Sequence, residues 1–246
     1  MKSAIVTGGA DGLGADMAAI LAANNYRVGI LDVRGELAAE TAARIPNAVA
    51  LVADVSDAAQ IEAAFEAFGE APDLLVNNAG IVRFGPLETQ SVEDYVSVIN
   101  VNLLGSCLCA RQAALGMLSR GSGHIINLTS VNGVHPAPNV GLYAGTKAAM
   151  ANMTQAMSIE WGPRGIRVNA IAPGFIDAGM SKPIYANPAV REKRGSGVPL
   201  RRLGTSDDIA QAVLFLDSPA ASYINGHQLV VDGGVINSVM AHLPRE

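Results

Sequence analysis

Short apolar runs and amphipathic stretches alternate along the whole chain. Ser3-Ala4-Ile5-Val6 predicts a strand, and a loop from Gly8 to Gly14 leads into a helix over Ala15–Asn24. Strands are expected at Arg27–Asp32, Val49–Val52 and Asp73–Val76, with helices over Gly35–Arg44 and Ala58–Phe68 between them. Ser91-Val92-Glu93-Asp94 reads as a capping box, and a long helix follows over about Leu103–Leu118. Gly123–Leu128 predicts a fifth strand, Tyr143–Glu160 a long helix and Ile166–Ile171 a sixth strand. Residues 175–200 carry Pro183, Pro188 and Pro199 and predict irregular chain. Thr205-Ser206-Asp207-Asp208 caps a helix to about Leu216, and Gln228–Val231 is the last strand.

Apolar strands alternating with helices imply right-handed βαβ crossovers and a parallel sheet covered on both faces. The expectation is a single-domain, doubly wound (Rossmann-like) α/β fold over residues 1–246, without linker, repeat or low-complexity segment. Ligands in such folds sit at the carboxyl ends of the strands, near the switch in strand order.

Composition narrows the function classes. Half the residues are hydrophobic but only 4% aromatic, which suits closely packed small helices on a sheet. The net charge of −5, with no basic domain, argues against nucleic acid and against an anionic membrane surface. The N-terminus runs straight into a strand, with no secretory signal pattern, and no apolar run approaches the ~18 residues of a membrane span. Cys107 and Cys109 lie too close for an ordinary disulfide and lack CxxC spacing, so reduced, buried thiols and a cytoplasmic protein are expected. His124 and His227 have no second ligand at metal spacing, so no metal is expected.

The chemistry begins at Thr7-Gly8-Gly9-Ala10-Asp11-Gly12-Leu13-Gly14. Gly8 permits a tight turn, Gly12 lets backbone approach a pyrophosphate, and Gly14 lets the helix pack on the strand, whose helix N-terminus then faces the phosphates. No Lys-Ser/Thr follows, so the loop is not a P-loop. Asp32 closes the second strand, where a carboxylate accepts from both adenosine ribose hydroxyls and repels a 2′-phosphate, selecting NAD over NADP. Asp54 closes the third strand; it either meets the adenine amino group or serves as a turn residue. Tyr143 and Lys147 stand at i and i+4, on one helix face about 5–6 Å apart at Cβ. A free phenol has a pKa near ~10, and a neighbouring ammonium lowers it. Leu128-Thr129-Ser130 ends the fifth strand, so a hydroxyl faces the same cleft.

Thr7–Gly14, Asn77-Asn78-Ala79-Gly80, Asn102, Ser130, Tyr143-xxx-Lys147 and Pro173-Gly174 together resemble the short-chain dehydrogenase/reductase family, in order and spacing, over about residues 5–234. The resemblance implies that Tyr143 is the acid/base and that Ser130 hydrogen-bonds the substrate oxygen. Lys147 would hold the nicotinamide ribose and lower the Tyr143 pKa, and Asn102 would hold a relay water. It also implies a cofactor wall of Leu13, Val33, Val55 and residues 77–80 (with Asn78, Ala79 and Gly80 as contacts), Pro173-Gly174 and the Ile176 backbone on the nicotinamide side, and a homotetramer.

Three positions depart from the family's pattern. Relatives resembling NADPH-dependent 3-oxoacyl-carrier-protein reductases tend to carry Arg where this chain has Asp11; Asp11 and Asp32 together favour NAD, with NADP less favoured. Arg34 is either a 2′-phosphate partner or a solvated loop charge. Ala178 stands where the family often has Thr, with Asp177 or Ser181 as substitutes. Residues 235–246 form a tail that either reaches a neighbouring subunit or trails on the surface.

Residues of about 175–200 correspond to the family's substrate lid, and Arg191-Glu192-Lys193-Arg194 either meets an acidic partner or forms a solvated face. Asn132, His135 and Asn139 either bind substrate hydroxyls or shape the rim. The leading expectation is an NAD-dependent oxidoreductase (EC 1.1.1.-) acting on a small secondary alcohol or ketone. The alternatives are a 3-oxoacyl-thioester reductase and a catalytically silent dinucleotide sensor, against which the intact Asn102, Ser130, Tyr143 and Lys147 set speaks. An enoyl reductase is disfavoured, because those relatives space Tyr and Lys more widely.

Overall fold

Alternation along the strands divides the apolar residues between two cores. In β1 (Lys2–Thr7), Ala4 and Val6 face one core and Ile5 the other; in β4 (Leu74–Asn77), Leu74 and Val76 part from Leu75 in the same way. The structure, a computed structural model, describes residues 1–238. One parallel sheet takes every described strand in the order β3-β2-β1-β4-β5-β6-β7. The others are β2 (Tyr26–Asp32), β3 (Ala48–Val52), β5 (Gly123–Leu128), β6 (Ile166–Pro173) and β7 (Gln228–Val231). The order reverses between β1 and β4, which places the switch point beside the glycine loop.

Helices α1 (Gly12–Ala23), α2 (Gly35–Arg44) and α9 (Ser206–Asp217) pack on the first face, through Met17, Leu21, Ala38 and Val213. Helices α3 (Ala58–Phe68), α5 (Ser106–Arg120) and α6 (Tyr143–Trp161) cover the second, through Phe65, Ala113, Met117 and Met157. Thr205 and Asp208 form a reciprocal capping box on α9. At α4 (Val92–Ile99) the box is half made. Ser91 Oγ accepts from the Asp94 N–H, but the Asp94 carboxylate turns to Arg83 instead.

Two features differ from the sequence reading, and a third falls mostly outside the described residues. The α4 and α5 helices are joined by a π turn, Asn100–Gly105, so helix runs from Val92 to Arg120. By length and composition this stretch would cross a membrane, but Cys109, Ala110 and Ala113 place it in the core, and core helices share that composition. The 175–200 region is helical over α7 (Lys182–Tyr185) and α8 (Pro188–Gly197). There Asn187 caps the helix and Pro188 sits in its first turn, where a missing N–H costs nothing. The tail expected at 235–246 lies mostly outside the described residues; Val235–Asn237 form a 3₁₀ turn.

The amino edge of the sheet holds a buried polar cluster. Asp217 accepts from Lys2 Nζ (2.9 Å), Tyr26 Oη (2.5 Å) and His124 Nδ1 (3.0 Å). Asn169 sets the tautomer. Its Oδ1 accepts from the His227 N–H (3.1 Å), so its Nδ2 donates to His124 Nε2 (3.1 Å) and the His124 proton sits on Nδ1. Arg167 lies beside the ring and donates to Leu216 O (2.8 Å). Burial holds His124 below its ordinary pKa, against the Asp217 bond. Burial pushes Asp217 up, but bonds from His124, Tyr26 and Lys2 outweigh it and hold it low.

Both shifts have one sign, since the unfolded chain binds more protons than the native one in acid. The His124 contribution is complete above about pH 6.5 and is lost as pH falls from there toward its lower folded value. The Asp217 contribution is complete above about pH 4 and is lost below. The melting temperature should therefore fall as pH drops from about 6.5. A level Tm between about pH 7.5 and 5 would overturn this account.

Candidate active site

The carboxyl edge of the sheet gathers the expected residues. Thr7, Asp32, Asn77 and Leu128 close β1, β2, β4 and β5, and Pro173 closes β6. Helix α1 begins at Gly12, earlier than expected, because the Asp11 carboxylate accepts from the Gly12 N–H (2.7 Å) and caps it. Asp11 thus has a structural task the sequence reading did not assign. Gly14 packs the helix on the strand: a Cβ there would stand 2.1 Å from Gly8 O. Gly12, at φ +53°, leaves no room for a Cβ either, but its neighbour is the Gly179 backbone of the 175–200 segment. Leu13 packs partly into the first core.

Thr7, to which the sequence reading gave no task of its own, organises the next wall. Its Oγ1 accepts from the backbone N–H groups of Asn78 and Ala79 (both 3.0 Å), and Asn78 Nδ2 donates to Thr7 O (2.9 Å). The Asn77 side chain faces away from that wall, bonding Asn127 and Ser106 inside the fold, so it does not line an adenosine side. Val33 is exposed beyond β2 and Val55 is buried. Asp54 Oδ1 accepts from the Ser56 N–H (2.8 Å) and Oγ (2.7 Å) in the turn after β3.

Asp32 is buried and holds the Ala10 N–H (3.2 Å) and Arg34. Burial pushes its carboxyl up, and the Arg34 and Ala10 bonds bring it below the ordinary range. A glycine loop without room for Cβ atoms, a capped helix start and a carboxylate at the adjacent strand end suit an adenosine diphosphate group.

The catalytic candidates meet beside it. Ser130 Oγ accepts from the Asn132 N–H (3.1 Å) and starts a 3₁₀ turn, Val131–Gly133, that packs on α6 with Gly133 against the Lys147 backbone. Ser130 thereby stands on the Tyr143 side of the cleft, next to the start of α6. Burial raises the Tyr143 pKa, and the Ser130 bond opposes that. Lys147 is buried, its Nζ donates to Leu128 O (2.7 Å), and it lies 5.6 Å from the Tyr143 ring centre. Burial lowers its pKa to about 8.

Asn102 is fully buried in the π turn. Its Oδ1 accepts from the Ile81 N–H (2.8 Å), while Nδ2 donates to Ile81 O (2.8 Å) and Thr146 Oγ1 (3.3 Å). The side chain clamps the segment after Gly80 to α6, a holding task the sequence reading did not assign to it. Gly80 lies against this clamp and Lys147. Thr146, inside the Tyr143–Lys147 motif itself, went unread.

On the other side, the Gly174 N–H donates to Val231 O (3.0 Å). Phe175 O and Asp177 N–H bond Gly204, a ladder that leaves the Ile176 N–H and C=O unused among the described residues. Asp177 pairs with Arg191, and Arg194 stacks 5.0 Å from the Phe175 ring, both within the 175–200 segment. His135 and Asn139 are exposed rim residues, Asn139 at φ +63° in a turn, whereas Asn132 Oδ1 accepts from the Ala137 N–H (3.1 Å).

A family model described as enoyl-(acyl carrier protein) reductase matches residues 8–236. A 2,5-dichloro-2,5-cyclohexadiene-1,4-diol dehydrogenase from Sphingobium indicum is 40% identical over 243 residues, 95% of each chain. A gluconate 5-dehydrogenase from Burkholderia cenocepacia, solved with NADP and tartrate, is similar at a TM-score of 0.92 and 36% identity, covering 97% of this chain and 96% of its own. A 3-oxoacyl-[acyl-carrier protein] reductase from Brucella melitensis with bound NAD gives 0.88 and 31%, covering 95% and 90%.

Proposed function

The chain belongs to the short-chain dehydrogenase/reductase family and is an oxidoreductase; from that premise we propose that it passes a hydride between NAD(H) and the carbon of a small secondary alcohol or ketone. One observation carries the reading: Tyr143, Ser130 and Lys147 gather past the end of β5, at the same sheet edge as a glycine loop without room for Cβ atoms. The nicotinamide, when bound, donates or takes up the hydride.

The protein manages the oxygen and its proton. With its pKa raised by burial, the Tyr143 phenol holds its proton at neutral pH and is ready to give it to a ketone oxygen. Ser130 donates a hydrogen bond to the same oxygen and steadies developing charge. In the oxidative direction Tyr143 must first lose that proton, and the Lys147 ammonium favours the phenolate while it remains charged, below about pH 8. Asn102 and Thr146 hold the Ile81 segment against α6 near Lys147. The 175–200 segment serves as the lid over the 1–246 domain.

NAD is favoured by the buried Asp32 carboxylate and by the Asp11 carboxylate, which shares Arg34 with it. The 3-oxoacyl-thioester reading draws on the likeness to the Brucella melitensis reductase. Against it, Arg191, Arg194 and Arg202 each have a neighbour within this chain. A homotetramer is part of this reading, supported by apolar Ile99, Leu104, Leu115 and Ile159 exposed on the α4–α6 side and Phe215 on α9. The two free thiols suit the cytoplasm.

The test is a panel of secondary alcohols, polyols and ketones assayed with NAD(H) and NADP(H), alongside acyl-carrier and coenzyme A thioesters. Turnover of free alcohols or ketones with NAD(H), by a particle that scatters light as a tetramer, is the expected result. Strict dependence on a thioester would displace the leading reading.

A further inference from the structure

We infer that Arg34 is a cofactor-selecting latch, holding the Asp32 carboxylate in the free protein and yielding it only when a dinucleotide ribose binds. The inference rests on the NAD reading above and deepens it.

A carboxylate has about four lone-pair sites. In Asp32 all four are taken. Oδ1 accepts from the Arg34 N–H (3.0 Å) and Arg34 Nε (3.1 Å); Oδ2 accepts from the Ala10 N–H (3.2 Å) and Arg34 Nη2 (3.2 Å). Two of these bonds come from backbone and hold the carboxylate in place. The other two come from the guanidinium, one on each oxygen. When the guanidinium leaves, one site reopens on each oxygen, which is the demand of two vicinal ribose hydroxyls.

The two partners differ in freedom. Asp32 is 5% exposed, whereas the Arg34 side chain is 52% exposed and sits at the bend between β2 and α2. Its Nη1 lies 3.7 Å from Asp11 Oδ2, so the guanidinium spans two carboxylates. Asp11 is itself held by its capping bond to Gly12. Arg34 is therefore the part that moves, and a half-exposed ion pair is cheap to open.

The charges give the latch a sign. With Arg34 in place, Asp11, Asp32 and Arg34 sum to −1; without it, the two carboxylates stand at −2. Arg34 thus weakens the repulsion that excludes a 2′-phosphate, and its displaced fork, tethered at the same bend, suits a phosphate. It works against NAD by occupying Asp32 and in favour of NADP by its charge.

Calorimetric binding of NAD and of NADP to the full chain tests this without recourse to turnover. Arg34→Ala should tighten NAD about two- to fivefold, the range of a partly exposed ion pair, and weaken NADP. Arg34→Lys keeps the charge without the fork and should fall between. Asp32→Asn should weaken NAD, and in that background Arg34→Ala should no longer tighten it. If Asp32→Asn weakens NAD but Arg34→Ala leaves it unchanged, the latch is wrong and the NAD reading stands. If Asp32→Asn leaves NAD affinity unaltered in a chain that melts normally, Asp32 is not the ribose site and both fail.

Discussion

Tyr143→Phe should lower kcat by about 10²- to 10⁴-fold, the range a positioned general acid contributes. The substitution removes one oxygen and keeps the ring. What surrounds it stays in place: Ser130 Oγ keeps the Asn132 N–H, and Lys147 keeps Leu128 O. Dinucleotide affinity and Tm should be close to those of the parent chain, so the loss falls on the proton step. With the phenol pKa raised by burial, ketone reduction needs only its resting, protonated form. Oxidation needs the phenolate, so its rate should climb with pH before the reductive rate falls. Near-normal turnover in the variant, measured under saturating substrate and cofactor, would sink the assignment of Tyr143.

Gly14→Ala should have the largest effect on the scaffold. The added Cβ would meet Gly8 O at 2.1 Å and Asn78 Nδ2 at 2.6 Å, and neither yields easily. Gly8 O is backbone in the tight turn, and Asn78 Nδ2 is donating to Thr7 O (2.9 Å) and Gly8 O (3.2 Å). Relief would push α1 off β1 and break the wall that Asn78 holds. A loss of about 1–3 kcal/mol or more in stability is expected, with dinucleotide binding lost from calorimetry. Gly145→Ala is the control. A Cβ there meets nothing within 4 Å, and alanine favours the interior of α6, so Tm should hold or rise. A Gly14→Ala chain with parental Tm and NAD affinity would show that the close packing of helix on strand is dispensable.

Much of this was legible from residue order, where the determinants are local. The bounds of α2, α3, β5 and β7 coincide with their sequence periods, because amphipathic spacing, caps and apolar runs act within a few residues. The Tyr143–Lys147 pair follows from helical geometry alone. Where the sequence reading missed, the cause was a competing partner nearby in space. Asp94 left its capping box for Arg83, and Asp11 became a cap while also drawing Arg34. Pro183 and Pro188 suggested irregular chain, yet both fall in helical first turns, where proline is tolerated.

By itself, the order of residues determined the doubly wound sheet, the edge at which the candidate site gathers and the residue types present there, since each depends on periodicity and on motifs a few residues long. Tertiary structure alone decided how those groups are engaged. The His124–Asp217 pair joins residues 93 positions apart, and Lys147 finds its acceptor in Leu128, on a neighbouring strand. The π turn that buries Asn102 has no period to announce it, and the amide's partners lie at Ile81 and Thr146. Whether Asp32 stands open or is held by Arg34 also rests on distance and burial, because the strength of a charge pair depends on how far apart the groups are and how much water surrounds them.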